Sequence, residues 1–322
     1  MPITDMIQDR ESLTLTAIAE FAAPLRRVWD AYLDPRQLER FWGPPTYPAT
    51  FRRHDAYPGG LSWYVMTGPE ADEHGGYWEW VRIEKLRAFE VLDGFAAPDG
   101  TPNREIPPSR MEIRFEAIEG GTRTVTTSWF ESLEALEQQF AMGLVEGLTE
   151  AMGQIDAVLA DLRSFAADFA TQTQLLSDTE VRVSRVIRGT VEQVWRAHQE
   201  AELLQRWLLG PDGWHMPVCE PATEIGGTYR YEWAADASDD RFGFTGELLE
   251  SVAPHRVVTT ERMIGTDGPS TLNAMTLTPV AEGTLLSLVI TYPNRELRDM
   301  VLATGMTDGM ETSYARLEAI LA

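Results

Sequence analysis

One long pattern occurs twice in this chain, and that duplication limits it to two similar folding units before any single element is considered. Pro24-Leu-Arg-Arg-Val-Trp29-Asp-Ala31 aligns with Thr190-Val-Glu-Gln-Val-Trp195-Arg-Ala197. Trp195 follows Trp29 by 166 positions, and the same offset carries Arg40-Phe41 onto Arg206-Trp207. With one residue inserted, Gly43-Pro44 matches Gly210-Pro211 and Gly59-Gly60 matches Gly226-Gly227. Near the end of each half, Gly143 and Gly147 correspond to Gly305 and Gly309, each pair leading into an apolar helical run. Solenoid repeats recur every few tens of residues, so a repeat of this length is a domain duplication.

The length of 322 residues suits two domains that each bury a core, expected at 1–170 and 178–322. Within each half the order of signals is the same. Leu13–Phe21 and Val181–Ile187 alternate and are rich in β-branched residues, so each reads as a strand. Short helices are expected at 24–33 and 36–42, then at 190–199 and 201–208. Extended segments follow, in the second half near 214–219, 228–234, 242–250, 256–264, 271–279 and 284–292. Their spacing suits an antiparallel meander. Each half then closes with one long amphipathic helix, carrying Phe140, Leu144, Leu148, Met152, Ile155 and Leu159, or Met306, Met310, Tyr314, Leu317 and Leu321. Residues 162–178 read as a helix extension fraying into a linker.

Strand, two short helices, meander and closing helix make up the order of the α+β helix-grip fold, a curved antiparallel sheet wrapped around a long C-terminal helix. The motifs narrow this. Val194-Trp195 with Trp207, Gly226-Gly-Thr-Tyr-Arg-Tyr231, Gly246–Val258 and Gly309–Leu317 resemble domains related to the activator of the Hsp90 ATPase, within the START/Bet v 1-like superfamily. The resemblance covers both halves and is stronger in the second. Met310 stands where that family commonly has tryptophan. Leu86-Arg87-Ala88 replaces Pro254-His255-Arg256, and Trp80 is matched with Gly246. The resemblance implies cavity proteins for small apolar molecules, alongside co-chaperones.

A formal net charge of −23 disfavours nucleic acid, whose affinity depends on basic residues neutralising phosphates, and anionic membrane surfaces likewise. No apolar run is long enough to span a membrane, and no signal peptide is expected from the N-terminus. The single cysteine, Cys219, cannot form an internal disulfide and fits a reducing cytoplasm, the expected location. The five histidines show no zinc-ligand spacing, and no nucleophile elbow or phosphate loop is present. No cofactor, metal or catalytic residue is therefore assigned.

The aromatic residues are more informative. Tyr229, Tyr231 and Trp233 alternate and share a strand face, with Ser62, Tyr64 and Met66 at the matching positions. Trp78 and Trp80 share another face, and Phe244 is matched with Trp78. Opposed by Met306, Met310 and Tyr314, or by Phe140, Leu144 and Leu148, these faces make either a plain core or the wall of an apolar pocket. Tyr64, Met66, Trp78, Trp80, Tyr229, Tyr231, Trp233, Phe244, Met306, Met310 and Tyr314 are the candidate ligand-binding residues. Glu247, Glu261, Glu79 and Arg114 lie on expected strands, and a solvent-facing position is the simpler reading for each. The function expected is binding of a small apolar molecule in at least one half. A protein-interaction module and a cyclase- or hydrolase-like enzyme stand as alternatives, as does a first half that has lost its pocket.

Overall fold

The computed structural model describes residues 3–97, 99–161 and 170–321. The chain divides into two compact units, Met1–Leu162 and Arg163–Ala322. In the first, strands β1 (Ile3–Asp9) and β2 (Thr14–Phe21) precede helices α1 (Leu25–Leu33) and α2 (Pro35–Leu38). The meander follows: β3 (Ala49–His54), β4 (Leu61–Thr67), β5 (Glu73–Glu84), β6 (Ala88–Ala96), β7 (Ser109–Ile118) and β8 (Gly121–Trp129). Among the described residues three helical pieces close the unit, α3 (Leu133–Ala141), α4 (Leu144–Gly153) and α5 (Ile155–Ala160).

The second unit repeats this order. It has β9 (Gln172–Leu175), β10 (Glu180–Ile187), α6 (Val191–Gln199), α7 (Ala201–Trp207), β11 (Trp214–Glu220), β12 (Thr228–Ala235), β13 (Arg241–Val252), β14 (Arg256–Met263), β15 (Thr271–Val280) and β16 (Gly283–Thr291). Helices α8 (Arg295–Leu302) and α9 (Met306–Leu321) end it. Each unit is one eight-stranded antiparallel sheet, ordered β1-β2-β8-β7-β6-β5-β4-β3 and β11-β12-β13-β14-β15-β16-β10-β9. This is the α+β helix-grip arrangement, twice.

Local signals account for the boundaries. Thr190 and Gln193 form a reciprocal capping box at the start of α6, and Ser132 and Asn294 cap α3 and α8 through their side chains. The sheet bulges at equivalent places, between Trp80 and Arg82 and between Leu248 and Glu250, which bends both sheets alike.

Three features depart from the sequence reading. Strands β1 and β9 are sheet edges with mostly polar, half-exposed residues, so they lack the alternation that marks a strand. Gln172–Leu175, expected in the linker, pairs with β10, while the helix expected over 162–169 lies outside the described residues. The first closing helix is broken at Gly143, which adopts a left-handed conformation with φ of +84°, whereas the second runs unbroken from Met306 to Leu321 just after the left-handed Gly305, φ +78°.

Packing also differs between the closing helices' expected and actual faces. Met152, Ile155, Val158 and Leu159 join the main first-unit core, with Leu148 packed against it. Phe140 and Leu144, expected to oppose the tryptophan face, pack instead on a separate cluster of Leu15, Phe130 and Leu136. That cluster draws on both sides of the break at Gly143, with Ala135 and Phe140 from α3 and Leu144, Val145 and Leu148 from α4.

Candidate functional site

The strand registers set the correspondence between the units. In the first, Gly59 N–H donates to Trp80 O; in the second, Gly226 N–H donates to Leu248 O. Trp80 therefore corresponds to Leu248, Trp78 to Gly246 and Gly76 to Phe244. The sequence match of Trp80 with Gly246 and of Trp78 with Phe244 is two residues out of register. One residue of this comes from the insertion before Gly210 and the other from the hairpin between β12 and β13, one residue longer than that between β4 and β5. Ser62, Tyr64 and Met66 do correspond to Tyr229, Tyr231 and Trp233, with Ser62 paired to Trp78 and Tyr229 to Gly246.

Large and small residues are exchanged across that pair. In the first unit Trp78 is fully buried beside the small Ser62. In the second, the Tyr229 ring lies over Gly246, where a Cβ would stand 2.8 Å from the ring and 1.8 Å from Thr260 O. A second exchange sits beside it: the Tyr64 ring covers Gly76, whereas Tyr231 faces Phe244.

Both arrangements serve a carboxyl at one shared position, Asp93 on β6 and Glu261 on β14. The Trp78 indole N–H donates to Asp93 Oδ1 at 3.0 Å, and the Tyr64 hydroxyl also bonds that carboxyl. The Tyr229 hydroxyl donates to Glu261 Oε2 at 3.1 Å, and Asn273 bonds the same carboxyl. Burial pushes Asp93 up to about 7 against these donors and pushes Glu261 upward too. Tyr292 is pushed up to about 12, mainly by burial and partly by the charge of Glu261. Glu261 was read as solvent-facing, and the structure corrects that. Glu247 is exposed, Arg114 pairs with Glu112 and Glu79 with Arg104, so those three lie outside any interior site.

The two interiors differ in how they are filled. In the first unit Tyr64, Trp78 and Trp80 pack with Trp29, Phe51 and Phe89 in one cluster, with Met66 against it. The Trp80 indole donates to Ser62 Oγ at 2.8 Å, Ser62 bonds His54 Nδ1 at 3.1 Å, and His54 Nε2 meets Leu33 O at 3.0 Å. That buried chain satisfies each member, so Ser62 and His54 are structural and not a nucleophile and base. Between sheet and closing helix a gap of about 10 Å³ remains, lined by Tyr32, Phe41, Ile113, Thr126, Leu148 and Met152 among others. One water needs about that much room, so the space holds no organic molecule.

In the second unit the corresponding positions carry smaller side chains: Gly246 for Trp78, Leu248 for Trp80, Val257 for Phe89 and Leu277 for Phe115. The inward face is correspondingly more open. Tyr231, Asn273, Met275 and Leu288 are half-buried, whereas their counterparts Tyr64, Met111, Ile113 and Thr126 are buried. Tyr231, Met275, Leu288 and Met310 pack against the cluster of Trp207, Leu277, Leu286, Tyr314 and Leu317. Met306 and Met310 reach a neighbouring cluster with Val181, Val183 and Ile290. Trp233 and Phe244 form an aromatic group with Phe242 and Trp214 toward the β11 edge, joined to Tyr231 at 6.4 Å between ring centres.

Two polar groups near this face are inert. Burial holds His198 down to about 4, so it is neutral, with its ring 4.8 Å from Trp207. Burial pushes the Cys219 thiol up to about 11, too high for a nucleophile at neutral pH. Among the described residues no group of three His, Cys, Asp or Glu is placed to hold a metal. Among the described residues no helix is long and apolar enough to cross a membrane.

The family described as activator of Hsp90 ATPase homolog 1-like protein matches residues 22–160 and 188–322. The chain belongs to this family. Its two matches coincide with the two units, so the activator-of-Hsp90-ATPase-like domain is present in tandem. Among solved structures, a protein from Mycobacterium smegmatis is 47% identical, covering 50% of this chain and 98% of that one, with a TM-score of 0.47. A protein from Arthrobacter aurescens is 42% identical over 49% of this chain and 92% of that one, also at 0.47. One from Rhodobacter sphaeroides is 32% identical over 47% of this chain and 97% of that one, at 0.45. No curated protein matches the chain.

Proposed function

We propose that the second activator-of-Hsp90-ATPase-like domain binds a small, largely apolar molecule between its sheet and α9, and that the first is its filled counterpart. The observation that carries this reading is the open inward face of the second unit. Tyr231, Met275, Leu288 and Met310 pack on the core yet stay half-buried, and the Glu261 carboxyl, felt by Tyr231, lies on the same sheet. Apolar walls with a few placed polar groups are what a small-molecule site requires. Tyr229, Tyr314 and Met306 extend that wall, while Tyr64, Met66, Trp78 and Trp80 hold the first unit together. The inert thiol of Cys219 suits a reducing compartment, and we read the protein as cytoplasmic.

Native mass spectrometry of the gently purified full chain tests this. One small molecule per chain, lost on denaturation, is the expected result, and Met310→Trp should exclude it while the fold is kept. A bare mass, together with failure to take up any apolar probe, would remove the binding reading.

A further inference from the structure

Glu261 presents a problem of charge balance. Its carboxyl lies on the inward face of β14, hydrogen-bonded to Tyr229 and Asn273, and among the described residues it has no arginine, lysine or histidine partner. A buried carboxylate without a counter-charge is costly, and neutral hydrogen bonds offset only part of that cost. The groups around it are aromatic. The Tyr229 and Tyr231 ring centres are 4.9 Å apart, and the charge of Glu261 is felt by Tyr229, Tyr231 and Tyr292. Among the described residues the half-buried Tyr231 makes ring contacts with Tyr229 and Trp233 and no hydrogen bond.

Resting on the pocket reading above, we propose that the guest is an amphiphilic amine, with its ammonium at Glu261, its flank against the Tyr231 ring and its apolar body along Met275, Leu288 and Met310. A carboxylate backed by aromatic faces is suited to a cation, because the ring quadrupole attracts it where water is excluded. The buried carboxyl then gains the counter-charge that the chain itself does not provide. The overall charge of −23 also raises the encounter rate of a cation over that of an anion. The first unit differs in what meets its carboxyl: Asp93 takes hydrogen bonds from both the Trp78 indole and the Tyr64 hydroxyl, whose rings are packed into the core.

Three probes with one apolar body separate the possibilities by calorimetry at low salt: 4-phenylbutylamine, 4-phenylbutan-1-ol and 4-phenylbutyrate. The amine should bind at least tenfold more tightly than the alcohol, and the carboxylate should bind least. Glu261→Gln should reduce the amine to the level of the alcohol, and Asp93→Asn should leave all three unchanged. Should Glu261→Gln fail to fold, Tyr231→Leu provides the second variant, and it should narrow the gap between amine and alcohol. Equal binding of amine and alcohol would overturn the amine proposal and leave the apolar pocket standing, as would a preference for the carboxylate. No binding of any probe would overturn both.

Discussion

The Trp78 indole donates to Asp93 at 3.0 Å from the strand neighbouring its carboxyl, while in the second unit the donor to Glu261 comes from one strand further away. Trp78 is on β5, Tyr229 on β12, and the residue facing each across the ladder is small. The carboxyl position is thus retained in both units; a tyrosine two strands away, Tyr64 or Tyr229, bonds it in each, while the Trp78 indole has only Gly246 at its place in the second. The pair Ser62 and Trp78 in the first unit and the pair Tyr229 and Gly246 in the second fill the same place with one large and one small residue, from opposite strands.

That exchange predicts strong coupling. Trp78→Gly alone removes a fully buried indole and should cost about 4 kcal/mol. Ser62→Tyr alone overfills a buried site and should cost about 2 kcal/mol or more. The double variant recreates the second unit's arrangement and should lose clearly less than the sum. Denaturant unfolding of all four proteins measures this coupling. Strict additivity would show that the two positions do not share one space.

Asp93 makes the first unit sensitive to pH. Its folded pKa of about 7 lies above the ordinary value of 3.8, so between these two the folded state binds more protons than the unfolded one. Stability from this group is full below about pH 4 and is lost as pH rises through about 7. Asp93→Asn keeps an acceptor for Trp78 and removes the titration. It should therefore raise stability at pH 8, by about 2 kcal/mol once the partial exposure of the residue is allowed for, and change little at pH 4. Thermal melts at the two pH values check the sign; a variant less stable than the parent at pH 8 would refute it.

Glycine substitutions should have opposite effects in the same unit. Gly309 lies within α9 with nothing within 4 Å of an added Cβ, so Gly309→Ala should stabilise by about 1 kcal/mol. At Gly246 the same methyl would meet Thr260 O at 1.8 Å, so Gly246→Ala should strongly destabilise or disorder the β12–β14 region. Comparing the two unfolding midpoints decides the matter.

The duplication, the meander and most strand limits were legible in the sequence because alternation and turn residues are local signals. Thr271–Val280 and Gly283–Thr291 are examples, each expected within a residue or two. Edge strands β1 and β9 were not, since a half-exposed edge needs no apolar alternation. The role of Glu261 was hidden for a different reason. Whether a strand residue faces in or out depends on register, and the bulge between Leu248 and Glu250 resets it. The two glycines Gly143 and Gly305 were visible as a pair, but their left-handed conformations are set by the chain around them.

The exchange of Ser62 and Trp78 for Tyr229 and Gly246 also constrains how the chain can change. Copying one of these residues from either half into the other gives an overfilled or a hollow interior, so single-residue exchange between the halves is penalised although the halves are alike. Only a transfer spanning both strands of the pair preserves the volume. The two copies are therefore isolated from one another where their interiors differ, and each can diverge without being drawn back toward its twin.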